Sequence, residues 1–210
     1  MKDLLEGTYS DFLQSLDLIR VLIAGLVLGL VVGRLVVRNP YHLKRLRPTY
    51  WRSVMRKMKR RHWVRLLTIA LWVAAASFIA SALMGELLVR AEVPVVSPEE
   101  YPFTMIERDY PLLVLVAVNV LPIFEEWVFR GIIMDEIIRW RKSKLLAVVA
   151  SAIIFSSFHL SNPGTYPAFA ISLIPASLLL GVCYLYTGLS GSIIAHDLYN
   201  TFLVVIGVLS

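Results

Sequence analysis

With 58% hydrophobic and 17% charged residues over 210 positions, the chain has too little polar sequence to coat a soluble surface, and its length suits one compact unit. The net charge of +6 is segregated rather than spread over a nucleic-acid-binding face. Of the 21 Lys and Arg residues, 11 fall within 38–65, a stretch without Asp or Glu, and four more are Arg139, Arg141, Lys142 and Lys144. The acids gather before position 18 and again between Glu86 and Asp109, a pattern that membrane insertion produces. Cys183 is the only cysteine, which excludes a disulfide or a thiolate metal cluster within one chain.

Six apolar stretches are long enough to cross a bilayer as helices, so the chain reads as an all-α polytopic bundle of about six spans in the cell membrane. The first covers 18–37, with Arg20 and Arg34 near its ends, where their charges can snorkel to the interface. The basic stretch 38–65 follows. Within it Trp51, Val54, Met55, Met58 and His62 repeat at helical spacing between cationic residues, which predicts an amphipathic helix on an anionic inner leaflet. The second span, 66–85, has no charge and leads into the acidic loop. The third runs from 111 to about 138, and 145–160, 167–186 and 189–209 follow. No cleavable signal peptide is expected, because the amino terminus is acidic and lacks a short apolar core before a small-residue site. Lys/Arg-rich loops stay cytoplasmic, which puts 38–65 and 139–144 inside and both termini outside.

Ionisable groups inside apolar spans are costly and normally face a partner or a polar cavity. The third span carries Glu125, Glu126 and Arg130. Glu126 and Arg130 are one turn apart and can pair, which leaves Glu125 about 100° away without a counter-charge. The fourth ends Phe155-Ser156-Ser157-Phe158-His159. The sixth carries His196 and Asn200 on one face, with Asp197 turned aside, either to orient a histidine or to face water. Each group alone has an ordinary explanation as a helix-packing or helix-end polar residue. A single converging site satisfies them together.

In that order the motifs Glu125-Glu126-x-x-x-Arg130, Phe155-x-x-x-His159 and His196-x-x-x-Asn200 resemble the CPBP intramembrane protease family. The family is also called the CAAX-protease or abortive-infection family and includes the Rce1-type prenyl-protein endopeptidases. The resemblance covers about 111–202 and divides the chain into three parts: 1–65, the tail, first span and basic loop; 66–110, the second span and acidic loop; and 111–210, the protease-like core. It implies a helical core around a polar cavity and hydrolysis of a peptide bond in a membrane-associated protein, prenylated or otherwise lipid-linked in one branch. It implies Glu125 as general base, His159 as its partner in holding water, His196 and Asn200 as oxyanion donors, and Glu126, tied to Arg130, as a residue that shapes the site or assists His159, with Arg130 and Phe155 in support. Zinc is left open. Glu125, His159 and His196 are its candidate ligands, and a metal-free glutamate mechanism is the alternative. The expected partners are a membrane-associated protein or peptide and the bilayer, with no nucleic acid.

Three other readings compete. A non-catalytic membrane scaffold of the same fold is one. A rhomboid-type serine protease is suggested by Gly188-Leu189-Ser190-Gly191, but the only later histidine, His196, lies about 9 Å away along the same helix. A transporter would need paired discontinuous segments that the spans lack. One conflict stands against the converging site. In upright helices His159 lies about 21 Å and His196 only about 10 Å from the inner ends of their spans.

Overall fold

The computed structural model describes residues 2–95, 110–162 and 166–209, and all regular structure among them is helical. The acidic residues expected in an outer loop at Glu99, Glu100, Glu107 and Asp109 lie outside the described residues. Helix α1 is Lys2–Arg38, α2 Tyr41–Lys44, α3 Pro48–Lys57 and α4 Arg60–Arg90. Helix α5, Pro111–Val128, continues through a π-helical segment, Phe129–Met134, into α6, Asp135–Arg141. Helix α7, Lys144–Phe158, starts where the Ser143 hydroxyl accepts from the Leu146 amide and ends in a 3-10 turn, His159–Ser161. Helix α8, Pro167–Leu209, closes the chain.

Five helices are long and apolar enough to cross a membrane, and the last of these segments, Pro167–Ile206, is two spans. Gly188 breaks it at φ 70 and ψ −168, a conformation open essentially to glycine alone. Ala176 and Tyr199 share one core cluster against Ala74, whereas a straight helix would hold them about 35 Å apart. Leu180, Cys183 and Ala195 share another against Ala70. The chain therefore doubles back at Gly188, and both arms pack on α4. The buried positions of α4 after Leu66 are Ala70, Ala74, Ser77 and Ser81, small side chains that let helix backbones approach closely. Gly191 lies where any Cβ would stand 2.1 Å from the Thr187 hydroxyl. The Gly-x-Ser-Gly run is thus explained as the chemistry of a tight turn.

The position of that turn removes the depth conflict. Leu189 packs with Met134, and a Cβ on Gly131 would meet its side chain at 3.7 Å. The hairpin therefore turns at the level of Gly131–Met134, about 10–15 Å above the end of α6 at Arg141. His196, eight residues beyond Gly188 and so about 12 Å along the second arm, reaches the Phe155 ring, against which His159 also packs.

The recess below the turn is filled by the basic segment. Arg45 donates from Nη1 to the Gly131 carbonyl at 2.9 Å and to the Tyr184 hydroxyl at 3.1 Å, and its Nη2 lies 2.8 Å from Asp135 Oδ2. Trp127 Nε1 donates to the His42 carbonyl at 3.0 Å. Glu136 is buried and accepts from Asn39 at 3.0 Å and from Arg139, and His42 Nε2 lies 2.9 Å from it. The single amphipathic helix expected here is not formed. Helix α3 ends at Lys57, Met58 is extended, and His62 belongs to α4, so Met58 and His62 leave the predicted face. Trp51 packs under the hairpin with Met134, Tyr184 and Leu189. Arg20 also departs from expectation: it donates to the carbonyls of Leu160 and Asn162, which the end of α7 leaves without helical partners.

Candidate active site

Helix α5 contains Pro122, which has no N–H to offer the carbonyl four residues earlier, at Val118. Asn200 Nδ2 donates to that carbonyl at 2.8 Å, and one residue further along each helix Thr201 donates to Asn119 Oδ1 at 3.1 Å. The proline thus creates an acceptor inside the bilayer that ties the second arm of α8 to α5. One turn later, Glu125 and Glu126 diverge as their positions on a helix require.

Glu126 is fully buried. Its Oε1 takes Arg130 Nη1 at 2.7 Å and His196 Nδ1 at 2.9 Å. Arg130, also fully buried, donates from Nη2 to the Ser177 carbonyl at 3.0 Å and hydroxyl at 2.8 Å. Its guanidinium stands 4.6 Å over the Phe155 ring. A charge pair at this depth survives only when further hydrogen bonds and a close cation–π contact offset desolvation. The π-helical segment begins at Phe129, and the Phe129 carbonyl takes the Ser151 hydroxyl at 2.8 Å, which fixes α7 against the bulge.

A carboxylate only accepts, so His196 holds its proton on Nδ1 toward Glu126 and turns Nε2 to Glu125, 3.7 Å from Oε2. His159 likewise uses Nδ1, donating to the Phe155 carbonyl at 2.9 Å. Its ring tilts against Phe155 with centroids 4.5 Å apart. Phe155 also meets His196 at 5.7 Å, so one ring sets the spacing of both imidazoles and the arginine.

Glu125, Phe155, His159, His196 and Asn200 line one cavity of about 270 Å³. The Glu125 side chain is about a quarter exposed, unlike its buried neighbour Glu126. The remaining wall is apolar apart from Asn162 and Tyr199, with Val118, Leu121, Leu173 and Leu203 prominent. Of the residues singled out from the sequence, Glu126 and Arg130 stand behind the wall. Asp197 orients neither histidine: its Oδ1 is buried and has no hydrogen-bond partner among the described residues. Ser177 and the Pro122–Val118 acceptor were not singled out, although a proline within a span always signals a bare carbonyl one turn earlier. Among the described residues no three His, Cys, Asp or Glu side chains are disposed to hold a metal ion.

Residues 107–202 match the family model of Rce1-like proteins, described as type II CAAX prenyl endopeptidase Rce1-like. No curated protein and no solved structure matches the chain. The stretch that supplies most of the cavity lining is therefore similar to Rce1-like proteins, in agreement with the resemblance to the CPBP intramembrane protease family carried by the same motifs.

Proposed function

We propose that the protein is an intramembrane endopeptidase that hydrolyses a peptide bond of a membrane-associated protein with water activated by Glu125. The observation that carries this reading is the meeting of Glu125, His159, His196 and Asn200 from three helices around one largely apolar cavity. The Glu125 carboxylate borders the cavity and is open to a bound water, whereas that of Glu126 is committed to Arg130 and His196. Glu125 takes a proton from a water held against His159 Nε2 as the oxygen attacks the substrate carbonyl carbon. Glu125 then returns that proton to the departing amine as the C–N bond breaks.

The oxyanion needs donors in a site poor in competing water. Asn200 has one amide hydrogen committed to Val118 and the second to offer. His196, whose Nδ1–H is held by Glu126, faces the same cavity through Nε2, which serves as the second donor when it carries a proton. Glu126 and Arg130 are positioning residues, buried and tied to each other and to His196.

The test compares membrane fractions from cells carrying the wild type and Glu125→Gln by fragment-resolved proteomics. Fragments present only with the wild type are expected, and purified enzyme acting on such a substrate should lose about 10²–10⁴-fold in rate with the variant. An unchanged fragment pattern, with the variant inserted and stable, would refute the peptidase reading and favour a scaffold of the same fold.

A further inference from the structure

Each arm of the bundle has a basic end and an opposite end, and the cavity belongs wholly to the second. On α8 its deepest lining residues, Leu180 and His196, each lie eight residues from the Gly188 turn, and from there the wall climbs to Phe169 on one arm and Val204 on the other. On α5 it rises from Glu125 to Val114, near the start of the helix at Pro111. Past the end of α7 it reaches Asn162. The Tyr166 amide donates to the Val95 carbonyl, so the end of α4, the start of α8 and the rim of the cavity share one face.

The other end is closed. Below His196 lie Leu189, Trp127 and Met134, and below them the Arg45 bonds to Gly131, Tyr184 and Asp135, with Trp51 packed alongside. A second cavity there, lined by Arg45, Trp51, Trp127 and Leu189, shares no lining residue with the first. This closed end is also the basic one. It carries the 11 Lys and Arg residues of 38–65 and the four of 139–144, whereas the sequence 96–109, which follows α4 and precedes α5, has four acids and one arginine. Basic loops are retained in the cytoplasm.

We infer that the cavity opens to the non-cytoplasmic side and is sealed from the cytoplasm by the docked basic segment, so that its substrate is a polypeptide segment presented at the non-cytoplasmic leaflet. The substrate class rests on the peptidase reading, and the direction of opening does not. An apolar wall above a Glu/His pair accepts a stretch of apolar residues flanking the scissile bond, arriving from the membrane–water boundary on that side. A chain anchored on the cytoplasmic leaflet would have to displace Arg45 and Trp51 to reach Glu125.

Cysteine accessibility in intact cells tests this with the full-length protein. In a Cys183→Ala background, single cysteines are placed at Tyr166→Cys on the open rim, at Leu173→Cys in the cavity wall and at Arg56→Cys on α3. A membrane-impermeant maleimide is expected to label Tyr166→Cys and Leu173→Cys in intact cells, and Arg56→Cys only after permeabilisation. Labelling after denaturation normalises each variant for the amount inserted, and Phe169→Cys replaces Leu173→Cys if the latter does not accumulate. Labelling of Tyr166→Cys only after permeabilisation, or of the wall cysteine only from the Arg56 side or from neither side, would overturn the inference. The same pattern is expected in Glu125→Gln, so a protein without peptidase activity can still confirm or refute the direction of opening.

Discussion

The bond from Asn200 to the Val118 carbonyl separates a structural from a chemical role for a single side chain. Pro122 strands that carbonyl, and Asn200 Nδ2 satisfies it at 2.8 Å. Side-chain hydrogen bonds in bilayers average about 0.6 kcal/mol and reach about 1.7, because an unfolded helix in the membrane finds other partners. A buried acceptor left without any partner costs about 1–3 kcal/mol. The Val118 carbonyl has no helical donor, so Asn200→Ala is expected near the top of the bilayer range, at about 1.5 kcal/mol. Pro122→Ala restores an N–H at position 122 and with it the intrahelical bond to Val118. In that background Asn200→Ala should cost about 1 kcal/mol less, and the cavity left by the lost proline ring cancels within the cycle. Unfolding in mixed micelles, followed by helical circular dichroism, measures all four proteins. Hydrolysis, once a substrate is in hand, is expected to stay impaired in both Asn200→Ala proteins, because restoring the helix bond supplies no oxyanion donor. Equal stability costs in the two backgrounds would refute the account of Pro122, and recovery of hydrolysis alongside stability would refute the oxyanion role.

Two further expectations follow from the same structure. Arg130→Met leaves the Glu126 charge buried without its closest partner and should destabilise the protein by about 3–5 kcal/mol, with much of this regained in Glu126→Gln/Arg130→Met. Activity should not return with stability, since His196 would lose its carboxylate; thermal unfolding in detergent beside a hydrolysis assay reads both. Gly188→Ala should cost about 1–3 kcal/mol through backbone strain alone. Gly191→Ala should cost stability through its clash with the Thr187 hydroxyl and Cβ, and Thr187→Gly, which removes both atoms, should relieve the Gly191 variant and not the Gly188 one.

The polytopic all-helical class was legible because a bilayer demands long apolar helices and segregated charge, and both are properties of one-dimensional sequence. The pairing of Glu126 with Arg130 was legible for a related reason: helical spacing alone brings positions four apart together, as the 2.7 Å contact bears out. The motifs also placed Glu125, His159, His196 and Asn200 in one site, and all four line one cavity. The basic stretch read as a helix lying on lipid, because its periodicity shows only that Trp51 needs an apolar surface. It cannot say whether lipid or the underside of the α8 hairpin supplies that surface. Likewise His42 and Glu136, 94 positions apart, carry no local signal of their contact.

Sequence alone determined which apolar stretches span as helices and which polar groups they must hide, since both follow from local spacing and the cost of charge in hydrocarbon. Tertiary structure decided how deep the Gly188 turn sits, and so whether the two histidines meet and which end of the cavity is closed. Those depend on Leu189 against Met134 and on Arg45 beneath them, contacts between segments whose relative height no local pattern encodes.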